Sequence, residues 1–250
     1  MPYAKPSVQN PQSVQNSVKK QHLIQAMTDL PHLETVELST TEHPEAAVIW
    51  MHGLGADGND FVPIVRELDL SGCPGIRFIF PHAETMPVTI NGGYVMRAWY
   101  DILGMDLVRR EDEAGLRQSQ MRIEQLIARE VARGIAASRI VLAGFSQGCA
   151  MTLQTGLRYP QQLAGLLCLS GYLPLADSIA QERHPANQQT PIFLAHGRGD
   201  GVVPIDRAET SRELLREQGY DIEWHDYLMQ HSVCEEEITD IGQWLRRVLS

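Results

Sequence analysis

No run of about 18 consecutive apolar residues, the length a membrane-spanning helix needs, occurs anywhere in this 250-residue chain. Cysteine is scarce. The four present, Cys73, Cys149, Cys168 and Cys234, show no C-x-x-C and no Cys/His ligand spacing, which argues against a zinc site and a redox motif. They read as free thiols in a reducing compartment. Positive charge is in deficit, with 21 Lys and Arg against 31 Asp and Glu for a formal net charge of −10. A surface of that sign repels phosphate backbones and anionic lipid, so nucleic acid is not an expected partner. The start of the chain has no apolar signal core, no Gly follows Met1, and the end carries no prenylation box. Neither secretion nor a stable membrane anchor is therefore expected, and the expected location is cytoplasmic. No Walker-type lysine loop and no H-E-x-x-H is present, so neither a metal nor a cofactor is expected. Oligomeric state is not encoded in any pattern here.

Hydrophobic residues at 43% and charged residues at 21% match ordinary globular usage, enough for a sizeable core. Residues 1–20 repeat SVQN at Ser7–Asn10 and Ser13–Asn16 and have almost no large apolar side chains. Such a segment cannot bury enough surface to offset its ordering entropy. Gln21–Leu30 reads as one amphipathic turn or two. The expected layout is a flexible tail over 1–30 and one domain over 31–250. Leu33–Leu38 alternates as an edge strand does. Ala47–Met51, Ile76–Phe80, Ile140–Phe145, Leu163–Ser170 and Pro191–Gly197 are short continuous apolar runs, the mark of strands covered on both faces. Asp221–Leu228 alternates as a further strand. Helices are expected over Asp60–Leu70, Glu111–Gly134, Gln147–Tyr159 and Asp206–Gln218. Ile238, Ile241, Trp244, Leu245 and Val248 stripe a final one. Strands alternating with helices predict an α/β fold with a mostly parallel central sheet covered on both faces.

Gly144-Phe145-Ser146-Gln147-Gly148 is a G-x-S-x-G. Chance alone supplies on the order of 0.1 such matches at ordinary residue usage. Its context raises it, because it joins a buried strand to a helix, where a nucleophile elbow belongs. In that fold the acid and then the base follow the serine along the chain. Of nine histidines, His231 sits in the loop after the last strand and is the candidate base. His225 lies within that strand, sharing a face with Glu223 and Tyr227, and is expected to be solvated. Asp200, between two glycines in the loop after Pro191–Gly197, is the candidate acid, fixing the imidazole tautomer. Oxyanion donors are expected from the backbone N–H of Gln147 and from the His52-Gly53-Leu54-Gly55 loop. A base that works as neutral imidazole loses activity as pH falls below about 6.5.

These motifs resemble those of the phospholipase/carboxylesterase family of α/β-hydrolases, which includes acyl-protein thioesterases. HGLGADG (His52–Gly58), PVTINGGYVMRAWYDI (Pro87–Ile102), LAGFSQG (Leu142–Gly148), HGRGDGVVP (His196–Pro204) and the HSV from His231 carry the resemblance, which spans about residues 33–249. It implies an α/β-hydrolase fold, Ser146 as nucleophile, Asp200 as acid, His231 as base, and Leu54 and Gln147 as main-chain oxyanion donors. It also implies a small-molecule acyl ester or thioester substrate, lysophospholipids included. Gln230 stands where a small residue is familiar, and Cys149 replaces a frequent Gly and reads as packing. Ile102–Val108 is apolar, with Ile102, Leu103, Met105 and Leu107 as candidate acyl-pocket wall, or equally an ordinary loop packed on the core. Trp99 and Tyr100 read as structural. The rival readings are a peptidase or lactonase on the same triad, and a non-catalytic fold that binds an acyl ligand.

Overall fold

The computed structural model describes residues 31–104 and 111–250. The expected tail over 1–30, and Met105 and Leu107 of the expected pocket wall, lie outside the described residues. Residues 33–250 form one compact unit built on a seven-stranded sheet in the order β1-β3-β2-β6-β7-β8-β9. The strands are β1 (Thr35–Ser39), β2 (Ala46–Met51), β3 (Ile76–Pro81), β6 (Ile140–Phe145), β7 (Gly165–Leu169), β8 (Ile192–Gly197) and β9 (Ile222–Tyr227). Only β1, at one edge, runs antiparallel, against β3; every other pairing in this sheet is parallel.

The continuous apolar runs follow from burial on both faces. Ala47, Ile49 and Met51 of β2 enter one core cluster, and Ala46, Val48 and Trp50 the other. Helices α1 (Glu113–Ala132) and α2 (Gln147–Gly156) cover the first face, joined by Leu215 of α3 (Ile205–Glu217). The amphipathic α4 (Glu235–Leu249) packs Ile241, Trp244, Leu245 and Leu249 on the second. Chain order reverses around β2, which pairs with β3 on one side and β6 on the other. In open α/β sheets the crevice beyond the carboxyl ends of strands at such a point is where ligands bind.

Two expectations need correction. Asp60–Leu70 is not an α-helix; only the 3₁₀ turns Val62–Arg66 form. Pro63 lacks an N–H and favours the first turn of a helix over its interior. The stretch from Pro81 to Asp101, for which no element is expected above, contains a β-hairpin, β4 (Thr85–Val88) with β5 (Tyr94–Arg97). The glycines that read as loop punctuation make its turn, Gly92 at φ +67° and Gly93 at φ +80°. The thiols of all four cysteines are unpaired, and Cys149 is buried on α2 within the core.

Glu237, in the first turn of α4, is fully buried. Burial pushes its pKa up to about 8, with the Asp240 charge reinforcing and the Cys234 backbone N–H opposing. The folded-state value lies above the ordinary one of 4.5. Stability from this site is therefore full below about pH 4.5 and is lost as pH rises through about 8. Glu237→Gln is expected to flatten that dependence and to raise Tm more at pH 8 than at pH 5. Thermal melts across that range check it, and an equal shift at both pH values would contradict it.

Candidate active site

The carboxyl ends of β2, β6, β8 and β9 all lie along one edge of the sheet. Ser146 lies between β6 and α2 with φ +57° and ψ −114°, a conformation sparsely populated for a residue with a side chain and typical of strain held at functional turns. The glycines around it are required by close approach: a Cβ on Gly144 would collide with the Gly148 carbonyl, and one on Gly148 with the Met51 carbonyl at the end of β2. The Ser146 hydroxyl makes no capping bond to α2, so it is not spent on the helix. Gln147 is the first residue of α2, and first-turn N–H groups have no acceptor within their own helix. The positive end of the helix dipole also lies there.

The loop after β2 stands beside this turn, since a Cβ on Gly53 would lie 3.4 Å from the Ser146 Cβ. His52 braces the loop. Its Nδ1 lies 2.7 Å from the Gly53 carbonyl and its Nε2 accepts from the Ala83 N–H at 3.0 Å. One nitrogen must donate and the other accept, which describes a neutral ring. Burial agrees, pushing the His52 pKa down to about 4. Trp99 and Tyr100 tie the two loops together. The Trp99 indole N–H donates to the His52 carbonyl at 2.9 Å, and its backbone N–H donates to Gln147 Oε1 at 3.1 Å. The Gln147 Nε2 donates to the Tyr100 carbonyl at 2.9 Å. Both aromatic residues are therefore structural, through bonds that single-residue inspection did not anticipate. The bracing role of His52 was also missed, although its place at the head of the HGLG loop was a usable signal.

Asp200, in the loop after β8, is buried. Its Oδ1 accepts from the backbone N–H groups of Val202 and Val203, both at 2.9 Å. Its Oδ2 lies 2.7 Å from His231 Nδ1. The His231 ring packs 4.7 Å from the ring of Phe145, the residue before Ser146. The acid and base loops press together: Gly199 N–H donates to the Met229 carbonyl at 3.0 Å, and a Cβ on Gly197 would collide with the Gln230 carbonyl. Gln230 itself is exposed, so its long side chain is accommodated by solvent. His225 is not the solvated imidazole expected. It stacks on Phe193 at 4.7 Å, with Nε2 at 3.1 Å from Glu223 and Nδ1 at 3.4 Å from Asp240. Among the described residues no cluster of His, Cys, Asp and Glu has the geometry to hold a metal.

The remaining expected residues sit around this edge. Leu54 is half-buried in the loop after β2. Ile102 packs partly against the core and its carbonyl accepts from the Ile90 N–H at 3.0 Å, while Leu103 is exposed.

Residues 32–249 match the phospholipase/carboxylesterase family profile. The chain belongs to that family. As a member it has the α/β-hydrolase fold and is a carboxylic ester hydrolase. An acyl-protein thioesterase 1 of Yarrowia lipolytica is 38% identical over 221 residues, covering 86% of this chain and 97% of that protein. Another acyl-protein thioesterase 1, from Neurospora crassa, is 42% identical over 209 residues, covering 80% and 85%. Among solved structures, Arabidopsis thaliana SOBER1 superposes with a TM-score of 0.78 at 31% identity, covering 82% of this chain and 99% of the other. Zea mays acyl-protein thioesterase 2 also reaches 0.78, at 26% identity, covering 88% and 100%.

Proposed function

We propose that Ser146, His231 and Asp200 act as a Ser–His–Asp triad that hydrolyses acyl esters and acyl thioesters through an acyl-enzyme intermediate. The observation that carries this reading is the 2.7 Å bond between His231 Nδ1 and Asp200 Oδ2. It belongs to an imidazole packed against the ring of Phe145, the residue that precedes the strained Ser146. With Nδ1–H given to the carboxylate, Nε2 is the base. It takes the Ser146 proton as Oγ attacks the acyl carbonyl, while the backbone N–H groups of Leu54 and Gln147 donate to the oxyanion. The tetrahedral intermediate collapses, and the alcohol or thiol leaves with the proton from His231. Water then repeats the sequence and frees the acid.

The named thioesterase relatives support thioesters among the substrates, and the family description supports lysophospholipids. The acyl chain is assigned to a wall begun by Ile102 and Leu103. The unpaired thiols and the lack, among the described residues, of a helix long and apolar enough to cross a membrane support a cytoplasmic enzyme. A chain-length series of esters and thioesters, run beside lactone and peptide panels, tests the reading. Each added methylene that enters an apolar wall is expected to raise kcat/KM about fourfold, from roughly 0.8 kcal/mol per buried CH₂, until the wall is filled. Turnover of peptides or lactones with esters left intact would contradict it.

A further inference from the structure

We infer that His196 is a positioning residue for the acid of the triad, a second imidazole that clamps the Asp200 turn and presents its N–H edge to the carboxylate oxygen His231 uses. This rests on the triad reading above. His196 lies in β8 and is fully buried. Its Nε2 is 2.7 Å from the Val203 carbonyl and 3.4 Å from Asp200 Oδ2. Both neighbours are acceptors, so Nε2 carries the proton and Nδ1 is an acceptor. That Nδ1 has no hydrogen-bond partner among the described residues. Burial pushes the pKa of His196 down and the His231 charge reinforces this, against the Val203 carbonyl, Asp200 and Glu209 of α3. The ring is neutral.

An imidazole that leaves a buried acceptor unpaired is a poor space-filler, because an apolar ring would pack without that penalty. What the other nitrogen holds accounts for it. His196 fixes the Val203 carbonyl, the Val203 and Val202 N–H groups fix Asp200 Oδ1, and Asp200 Oδ2 fixes His231. Strand β8, the loop that follows it and the loop after β9 are thus joined into one chain of bonds ending at the base. The partial positive charge on the His196 N–H also draws on the carboxylate charge that would otherwise favour protonated His231. Its removal therefore raises the proton affinity of the base, provided Asp200 stays in place.

The test compares His196→Leu, His196→Asn and His196→Gln in the full chain, with kcat, KM and the pH profile of kcat/KM on a p-nitrophenyl ester. Leucine removes both nitrogens, asparagine reaches only the Nδ1 position, and glutamine restores a donor near Nε2. The leucine and asparagine variants are expected to lose about threefold to tenfold in kcat with KM unchanged. Their acid limb is expected to move up by about half a unit to one unit, the worth of one hydrogen bond. Glutamine is expected to recover both. A purely structural role would slacken Asp200 away from His231 and move the acid limb down, with glutamine no better than the others; that result, or an unmoved limb, overturns the inference. If leucine prevents folding in thermal melts, asparagine against glutamine decides. Asp200→Asn and His231→Ala run alongside: should those retain activity, the triad reading has failed, and not the role of His196 alone.

Discussion

Replacing Ser146 with alanine is expected to lower kcat by about 10⁶, the loss seen when comparable triads lose their nucleophile. Its neighbours Phe145 and Gln147 pack and brace, and neither carries a nucleophile. The fold should survive. The hydroxyl makes no cap to α2, and alanine meets the same backbone strain at φ +57° that serine does. Unfolding free energy should therefore move by no more than about 0.5 kcal/mol. Steady-state kinetics on a p-nitrophenyl ester, with a thermal melt on the same sample, separates the two effects. Residual turnover within tenfold of wild type would refute the assignment of the nucleophile.

Asp200→Asn is expected to lower kcat by about 10⁴ with little change in KM. The geometry dictates the reason. Oδ1 is held by two backbone N–H donors at 2.9 Å, so the new amide must keep its oxygen there. Its NH₂ then faces His231 Nδ1, where the carboxylate accepted at 2.7 Å. A donor in that place forces the imidazole to accept on Nδ1 and to carry its proton on Nε2, which can no longer take the serine proton. Because the turn keeps its backbone bonds, the protein should remain folded. A loss smaller than tenfold would mean that His231 does not depend on this carboxylate.

The parts of the fold legible from residue pattern are those where one physical cause dominates. Ala46–Met51 and Ile140–Phe145 are apolar throughout because each side of the sheet is covered, and a run that short is the length of a strand and not of a helix. The stripe on α4 was legible for the same reason. The hairpin Thr85–Val88 with Tyr94–Arg97 was not, because Pro87 and the Gly92-Gly93 pair carry equal weight as loop signals and as an edge strand with its turn. Ser146, Asp200 and His231 could be nominated by chain order and strand ends. The contacts around them could not, since the bonds of Trp99 to His52 and to Gln147 join residues that only the crossovers bring together, and the bond of His196 to Val203 depends on how the loop after β8 turns back on its strand. His225 misled for a related reason: alternation places it on one face of β9 but says nothing of Phe193 on the adjacent strand, which covers it.

Activity-based labelling with a fluorophosphonate, followed by peptide mapping of the adduct, tests the central assignment most directly. The probe reacts only with a serine that an adjacent base has activated. One adduct per chain is expected, on the peptide containing Ser146, lost in Ser146→Ala and strongly slowed in His231→Ala. An adduct on another residue, or labelling at an unchanged rate without His231, would contradict the account.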